Sequence, residues 1–175
     1  KGAASLAASY VNLANPGTYD AAPGVAPTFN TATGWTFAGS EWLTTGYSTI
    51  NTSITVIVRF SDAASGVYTM CGSVGAGRHR IMPNRSNLVY YGDTTKSPGM
   101  TSGVLAIAGT TGYRDGSSDG AVTVGSSVNP YYLGAQYEVG NATAKWYGKM
   151  QAFALYSTTL DATQVAEITT NMAAL

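Results

Sequence analysis

Short runs of apolar and β-branched residues, bounded by Gly, Asn, Asp and Ser, recur along most of the chain and predict β-strands. The clearest run covers residues 54–60. One face of it carries four apolar side chains, Ile54, Val56, Val58 and Phe60, and the other carries Thr55, Ile57 and Arg59. Further strands are predicted at residues 35–37, 42–44, 67–71, 78–82, 88–91, 104–110, 121–124, 131–133 and 146–156. Short strands this frequent, without helices between them, favour an all-β fold in which two antiparallel sheets form a sandwich.

A single helix is predicted at the end of the chain. Asp161 and Gln164 have the spacing of a capping box, in which each side chain bonds the backbone N–H of the other residue. Val165, Ile168 and Met172 then form one apolar stripe. We therefore expect a short C-terminal helix that packs on a sheet.

The first part of the chain lacks this periodicity. Pro16, Pro23 and Pro27 interrupt it, and no alternation is visible before residue 34. We predict an irregular lead-in over residues 1–30 that packs on the sandwich, and a single β-sandwich domain over residues 31–175.

Charge and composition exclude several classes of function. The chain has 9 basic and 9 acidic residues, and charged residues make up 10% of it, against about 25% in an ordinary soluble domain. A nucleic-acid binder needs an excess of Lys and Arg, so no nucleic-acid partner is expected. Residues 2–19 are uncharged but too polar for a membrane span. The single cysteine, Cys71, lies in an apolar run and is expected to be a buried thiol.

Catalytic patterns are missing from the sequence. Hydrolysis by acid–base chemistry needs two carboxylates across the scissile bond, and no predicted strand carries carboxylates at i, i+2 spacing. The only histidine is His79, and no G-x-S-x-G turn accompanies it. One His and one Cys cannot hold zinc. We therefore expect that the protein is not an enzyme.

The hairpin around residues 84–87 offers a candidate binding face. With an even loop length Arg80 lies opposite Tyr91, and Arg78, Arg80, Tyr91 and Asp93 then share one face. This face is either a ligand-binding site or an exposed sheet surface with an Arg–Tyr pair. Trp146, at a predicted loop edge, is a further candidate ligand-binding aromatic, whereas Trp35 and Trp42 are expected in the core.

The segment 115–120 has two interpretations. Asp115 and Asp119 bracket two serines, and these oxygens could hold Ca²⁺, the one cofactor that the sequence leaves open. Asp115-Gly116 is also a strong hairpin-turn signal.

Two parts of the chain resemble laminin-G-like domains of the concanavalin-A-like jelly roll. The matching segments are GWTFAGS (34–40), WLTTG (42–46), SITVIVRF (53–60), YLGA (132–135), WYGKMQAFALY (146–156) and LDATQV (160–165). Residues 30–175 follow the pattern, and residues 11–20 are similar to segments that precede such domains in phage and bacterial surface proteins. The resemblance implies two curved sheets and an extracellular role in binding carbohydrate or protein. The related glucanases carry an E-x-D-x-x-E strand motif that this chain lacks, so their hydrolase activity is not implied.

Two hypotheses of function follow. The first is a non-catalytic module that binds a glycan or a surface protein, on a secreted, cell-surface or virion protein. The alternative is a structural subunit or decoration domain that self-assembles without a small ligand, which the low charge favours because copies repel each other little.

Overall fold

Two β-sheets packed face to face form the protein in the computed structural model, which describes all residues 1–175. The helices are α1 (Leu6–Ser9) and α2 (Ala162–Ala174). The strands are β1 (Ala22–Val25), β2 (Thr28–Asn30), β3 (Gly34–Ala38), β4 (Trp42–Thr44), β5 (Thr55–Ser61), β6 (Cys71–Val74), β7 (Arg78–Arg85), β8 (Leu88–Tyr91), β9 (Thr94–Lys96), β10 (Gly103–Ala108), β11 (Thr111–Arg114), β12 (Ser117–Ala121), β13 (Tyr132–Leu133), β14 (Gln136–Glu138), β15 (Asn141–Thr143) and β16 (Tyr147–Tyr156).

The chain crosses repeatedly between the two sheets. The front sheet has the order β1-β4-β13-β6-β7-β8-β9, with the β14–β15 hairpin attached to β6. The back sheet has the order β12-β11-β10-β5-β16-β3-β2. All strand pairs are antiparallel except β14 with β6. The predicted all-β, two-sheet antiparallel jelly-roll sandwich with a short C-terminal helix is confirmed.

The core lies between the sheets and follows the alternation seen in the sequence. Ile54, Val56, Val58 and Phe60 belong to the main apolar cluster, as predicted for one face of β5. Ile57, on the opposite face, belongs to a second cluster with Val165 and Met172 of α2. The capping box of Asp161 and Gln164 is present. Helix α2 therefore covers part of the outer face of the back sheet. No helix has the length and apolar character needed to cross a membrane.

The lead-in is more regular than the sequence indicates. Strand β1 pairs with β4 in the front sheet, and β2 pairs with β3 in the back sheet, so residues 1–30 supply an edge strand to each. Both strands are short and β1 contains Pro23, which is tolerated at a sheet edge. The Trp35 indole N–H donates to Ser9 Oγ at 2.7 Å and attaches the preceding segment to the sandwich.

Two predicted strands are displaced. The apolar residues 67–70 precede β6 rather than form it, and β12 ends at Ala121, before the predicted run of residues 121–124. Met70 and Val122 are nevertheless buried. The apolar pattern thus marks buried residues in both runs, although Val67 is 55% exposed, and it does not distinguish strands from loops that pack on the core.

The predicted register of the β7–β8 hairpin is wrong. Ile81, not Arg80, lies opposite Tyr91, because a bulge between Met82 and Arg85 adds one residue to β7. A one-residue shift turns a strand's side chains to the other face. Tyr91 therefore points into the core and not to the face that carries Arg80.

Candidate functional site

The outer face of the front sheet is the open surface on which chemistry-bearing side chains converge. Leu43, Leu133 and Cys71 belong to the core cluster, so their strand neighbours Trp42, Tyr132 and Gly72 face outward. Across the strands Tyr132 is paired with Gly72, which is paired with Arg80.

Three aromatic side chains, the aromatic row, form the first half of this site: Trp42, Tyr132 and Tyr137. The rings of Trp42 and Tyr132 stack with centroids 4.4 Å apart, and Tyr137 meets Tyr132 edge-on at 5.4 Å. Trp42 and Tyr137 are half-buried. A Cβ at Gly24 would lie 1.9 Å from the Trp42 ring. The indole can therefore pack directly on β1 because Gly24 has no side chain.

Four polar side chains beside the row, the polar network, form the second half: Arg80, Gln136, Glu138 and Thr143. Arg80 Nη1 donates to Gln136 Oε1 at 2.9 Å, and Gln136 Nε2 donates to Glu138 Oε2 at 2.9 Å. Thr143 Oγ1 donates to the same Glu138 oxygen at 2.9 Å. These bonds fix the side chains in place, and the network offers both donors and acceptors next to aromatic rings.

Arg80 is the most unusual member of the network. It is only 7% exposed, and no carboxylate lies within ion-pair distance of its guanidinium. Burial lowers the pKa of Arg80. The neighbouring Arg78 is exposed and forms an ion pair with Asp93 at 2.8 Å, and the hydrogen bond that Arg78 donates to this carboxylate raises the pKa of Arg78.

The predicted ligand-binding residues divide into two groups. Arg78 and Asp93 form an ion pair, and Arg80, two residues further along β7, lies on the same outer face of the front sheet. Tyr91 and Trp146 are both 0% exposed, so the predicted placement of these two side chains on a binding face is wrong. The hydroxyl of Tyr91 donates to the backbone oxygen of Tyr113 at 3.0 Å.

Trp146 was predicted at a binding face and Trp42 in the core, and the structure shows the reverse. Trp146 packs in the core against Phe37 and Phe60, with centroids 5.8 Å and 6.4 Å away, whereas Trp42 lies on the outer face. Trp146 precedes a glycine, Gly148, where a Cβ would lie 2.4 Å from its ring. The glycine therefore makes room for the buried indole rather than marking a loop edge.

Asp115 and Asp119 are engaged by protein donors. Asp115-Gly116 forms the two-residue turn between β11 and β12, with φ of 48° and 83°. The Asp115 carboxylate accepts from Val104 N at 2.8 Å, and Asp119 pairs with Arg114 at 3.1 Å. The turn prediction is confirmed. No cluster of three or more His, Cys, Asp or Glu side chains is present, and calcium binding stays a prediction.

A buried polar cluster lies beneath the site, formed by Cys71, His79 and Tyr131. His79 Nδ1 lies 3.3 Å from the Tyr131 hydroxyl, which in turn lies 3.7 Å from Cys71 Sγ. Burial raises the pKa of Cys71 to about 12 and lowers that of His79 to about 4. The thiol is buried, as predicted, and near neutral pH it stays protonated and the imidazole uncharged. This combination does not provide a thiolate nucleophile.

Sequence reasoning missed Tyr132, Gln136, Tyr137 and Glu138 as site residues. They meet because the chain reverses at Gly134, where a Cβ would lie 2.2 Å from the Phe37 ring, and β14 then runs parallel to β6. Gly134 adopts a positive φ of 75°, and the glycine itself was the only local signal of this reversal in the sequence.

The main cavities of the molecule lie away from this face. A cleft of about 900 Å³ separates the lead-in from the second half of β16, and its lining is mostly apolar. A smaller cavity of about 530 Å³ lies near Ile50 and Ser127. Neither is lined by the aromatic row or the polar network, so the candidate site is a surface rather than a pocket.

Neither protein-family models nor curated proteins match the sequence. Solved structures do match the fold. Domain 4 of AbnA, an extracellular GH43 arabinanase from Geobacillus stearothermophilus solved in complex with arabinotriose, aligns with a TM-score of 0.59 and 12% identity, over 82% of this chain and 80% of that one. A heptameric SAP-like pentraxin from Limulus polyphemus aligns with a TM-score of 0.54 and 13% identity, over 77% and 80%.

A third similar structure is the binding domain of botulinum neurotoxin serotype D. It has a TM-score of 0.54 and 12% identity over 87% of this chain, but this chain spans only 46% of that one. At these identities the similarity establishes only the β-sandwich fold that this chain shares with them.

Proposed function

We propose that the protein is a non-catalytic glycan-binding module whose site is the outer face of the front sheet. The observation that carries the proposal is the aromatic row of Trp42, Tyr132 and Tyr137 beside the polar network around Arg80. A surface of this kind, with flat aromatic rings next to oriented donors and acceptors, matches the two chemical features of a sugar.

Sugar rings have an apolar C–H face and a rim of hydroxyl groups. Tyr and Trp present a flat apolar surface with a polar group at the edge, which suits the C–H face. The network supplies guanidinium and amide donors together with carboxylate and hydroxyl acceptors, which suit the hydroxyls. Because the internal hydrogen bonds already orient Gln136 and Glu138, a ligand does not have to order these side chains on binding.

The carboxylates of this face support a binding role rather than hydrolysis. A glycosidase needs two carboxyl groups on either side of the bond that is cleaved. Asp93 is held by Arg78, and Glu138 accepts from Gln136 and Thr143. Each thus has a protein partner, and because both hydrogen bonds of Glu138 go to Oε2, its Oε1 keeps the capacity to accept from a sugar hydroxyl.

The arabinanase domain provides independent support, because that domain of the same fold was solved with arabinotriose. That arabinanase is extracellular. We propose that this protein likewise belongs to a secreted, cell-surface or virion protein, as the sequence resemblance implies.

Affinity electrophoresis against a panel of polysaccharides, followed by calorimetry on those that retard the protein, tests the proposal. We expect Trp42→Ala to weaken binding by about tenfold or more, because the stacked indole is lost. Tyr147→Ala is the matched control, since Tyr147 is a 42% exposed aromatic on the back sheet. It should bind like the wild type.

Two results would contradict the proposal. One is that no polysaccharide binds, and concentration-dependent self-association in that case would favour the assembly alternative. The other is that Trp42→Ala, shown to be folded by its circular dichroism spectrum, binds as tightly as the wild type. Tyr137→Ala provides a second variant should Trp42→Ala fail to fold.

A further inference from the structure

We propose that the glycan recognised by this face carries a carboxylate, and that Arg80 binds it. This inference rests on the proposed function and specifies the class of sugar. It is carried by an observation that the aromatic row does not explain, namely a nearly buried guanidinium without a counter-ion.

The charges around Arg80 leave one positive charge unbalanced. Its charged neighbours are Arg78, Arg85, Asp93 and Glu138. Asp93 is bound by Arg78, and Glu138 takes its hydrogen bonds from Gln136 and Thr143. Three arginines therefore face two carboxylates. Arg80 and Arg85 both lack an ion-pair partner, but only Arg80 is buried.

Holding a charge away from water without a counter-ion destabilises a fold. Arg80 offsets part of this through two hydrogen bonds, from Nε to the backbone oxygen of Gly92 at 3.3 Å and from Nη1 to Gln136 Oε1 at 2.9 Å. An apolar side chain would fill the position without the electrostatic cost. A bound anion provides a reason to retain the arginine.

The hydrogen-bonding capacity left on Arg80 fits a carboxylate. A guanidinium has five N–H donors, and the two bonds above leave both donors of Nη2 and one of Nη1. Two adjacent N–H groups of arginine bind a carboxylate in a bidentate, charge-assisted manner. Nη2 has no protein acceptor and is not fully buried.

Arg80 lies close enough to the aromatic row for one ligand to contact both. Tyr132 and Arg80 flank Gly72 on neighbouring strands, so their backbones are about 10 Å apart. Gly72 has no side chain to fill the space between them, and a Cβ there would lie 2.6 Å from Arg80 Cβ. An oligosaccharide that stacks on the aromatic row can thus extend a carboxylate to Arg80.

The charge balance favours a singly charged sugar unit, such as a uronate or a sialate, over a densely sulfated chain. The protein has a formal net charge of zero, and Arg80 is the one positively charged member of the polar network. A polymer with several charges per repeat would need a larger basic patch to be bound tightly.

Calorimetry with paired ligands tests the inference. The probes are an oligogalacturonate with its carboxyl-reduced form, and sialyllactose with lactose, so that the two pairs distinguish uronate from sialate. We expect at least one acidic probe to bind about tenfold or more tightly than its neutral partner, because one charge-assisted bidentate contact is gained. Arg80→Gln should abolish this preference and Arg80→Lys should keep part of it, since Lys retains the charge without the fork.

Arg85→Gln is the matched control. It removes one positive charge from the same strand, but Arg85 packs over the Tyr90 ring at 5.0 Å and lies outside the network. This variant should keep the preference for the acidic probe.

The outcomes separate the two proposals. Equal binding of acidic and neutral probes overturns the carboxylate inference and leaves glycan binding standing. A preference that survives in folded Arg80→Gln shows that another residue binds the carboxylate and overturns the assignment to Arg80. If none of these probes binds and the polysaccharide panel also gives no binding, both proposals fall. The ligand pairs test the wild-type protein directly, so the inference stays falsifiable even if Arg80→Gln does not fold.

Discussion

His79 and Arg80 are adjacent in β7 and point to opposite sides of the front sheet. Near neutral pH only Arg80 carries a charge. His79 faces the core, where its ring contacts Tyr131 and is uncharged near neutral pH, whereas Arg80 faces outward and stays charged. The alternation of a strand produces this difference over a single residue. The predicted face of Arg80 is confirmed, because it follows from the alternation of the strand alone.

The predicted position of Tyr91 on the outer face is wrong because it depended on the register between two strands. One bulged residue in β7 was enough to bury this side chain. The predicted position of Trp146 at a loop edge is wrong for a different reason. A glycine that follows an aromatic residue can mark a turn, but it can also make room for the ring. Partners in space, such as the Gln136 amide for Arg80, depend on the fold and have no local signature.

The buried His79 predicts that the protein loses stability in mild acid. Its pKa is lowered to about 4 by burial, from 6.5, so the unfolded chain binds a proton between these values while the folded protein does not. Stability conferred by the neutral imidazole is therefore full above pH 6.5 and is lost as the pH falls towards 4. The loss should reach about 3 kcal/mol at the acidic end of this window.

Urea unfolding of the wild type and of His79→Asn at several pH values between 7 and 4 measures this effect. The wild type should lose more of its free energy of unfolding than the variant over this range. Carboxylates titrate in both proteins, so the difference between them isolates the imidazole. Identical pH dependence in the two proteins would show that His79 is not held neutral by the fold.

Among the elements, those with regular patterns were predicted and those without were not. Strand β5 and helix α2 have alternation and a capping box, and both were found where expected. Strands β1, β2 and β14 have only three or four residues, too few for a period to appear. The failure to predict β14 matters most, because β14 contributes Gln136, Tyr137 and Glu138 to the site.

The capping box predicts the stability contribution of a single side chain in α2. Asp161 accepts from Gln164 N at 2.9 Å, and Gln164 Oε1 accepts from Asp161 N at 3.0 Å. Asp161→Ala removes the acceptor and should lower the free energy of unfolding by about 1 kcal/mol. Asp161→Asn keeps an acceptor and should change it by only about a few tenths of a kcal/mol.

Urea-induced unfolding at neutral pH distinguishes these two variants. A loss of equal size in Asp161→Asn and Asp161→Ala would mean that the carboxylate charge, rather than the hydrogen bond, stabilises the start of the helix.

In the whole molecule, the two outer faces of the sandwich differ. Helix α2 packs on the back sheet through Val165 and Met172, which lie with Ile57 in the second apolar cluster. The front sheet has no helix over it and presents the aromatic row and the polar network instead. The sequence predicted the two sheets and the helix, but it did not indicate which outer face would remain open, because that depends on which sheet receives α2.

The central claim is that the ligand binds to the open outer face of the front sheet rather than in the larger apolar cleft beside β16. Two-dimensional NMR spectra recorded during titration with the tightest-binding oligosaccharide of the panel test it most directly. The account predicts that the largest chemical-shift changes occur at Trp42, Tyr132, Tyr137 and Arg80, with the Trp42 indole N–H among them. Changes confined to the cleft, at residues such as Tyr10, Tyr47 and Phe153, with the front sheet unaffected, would contradict it.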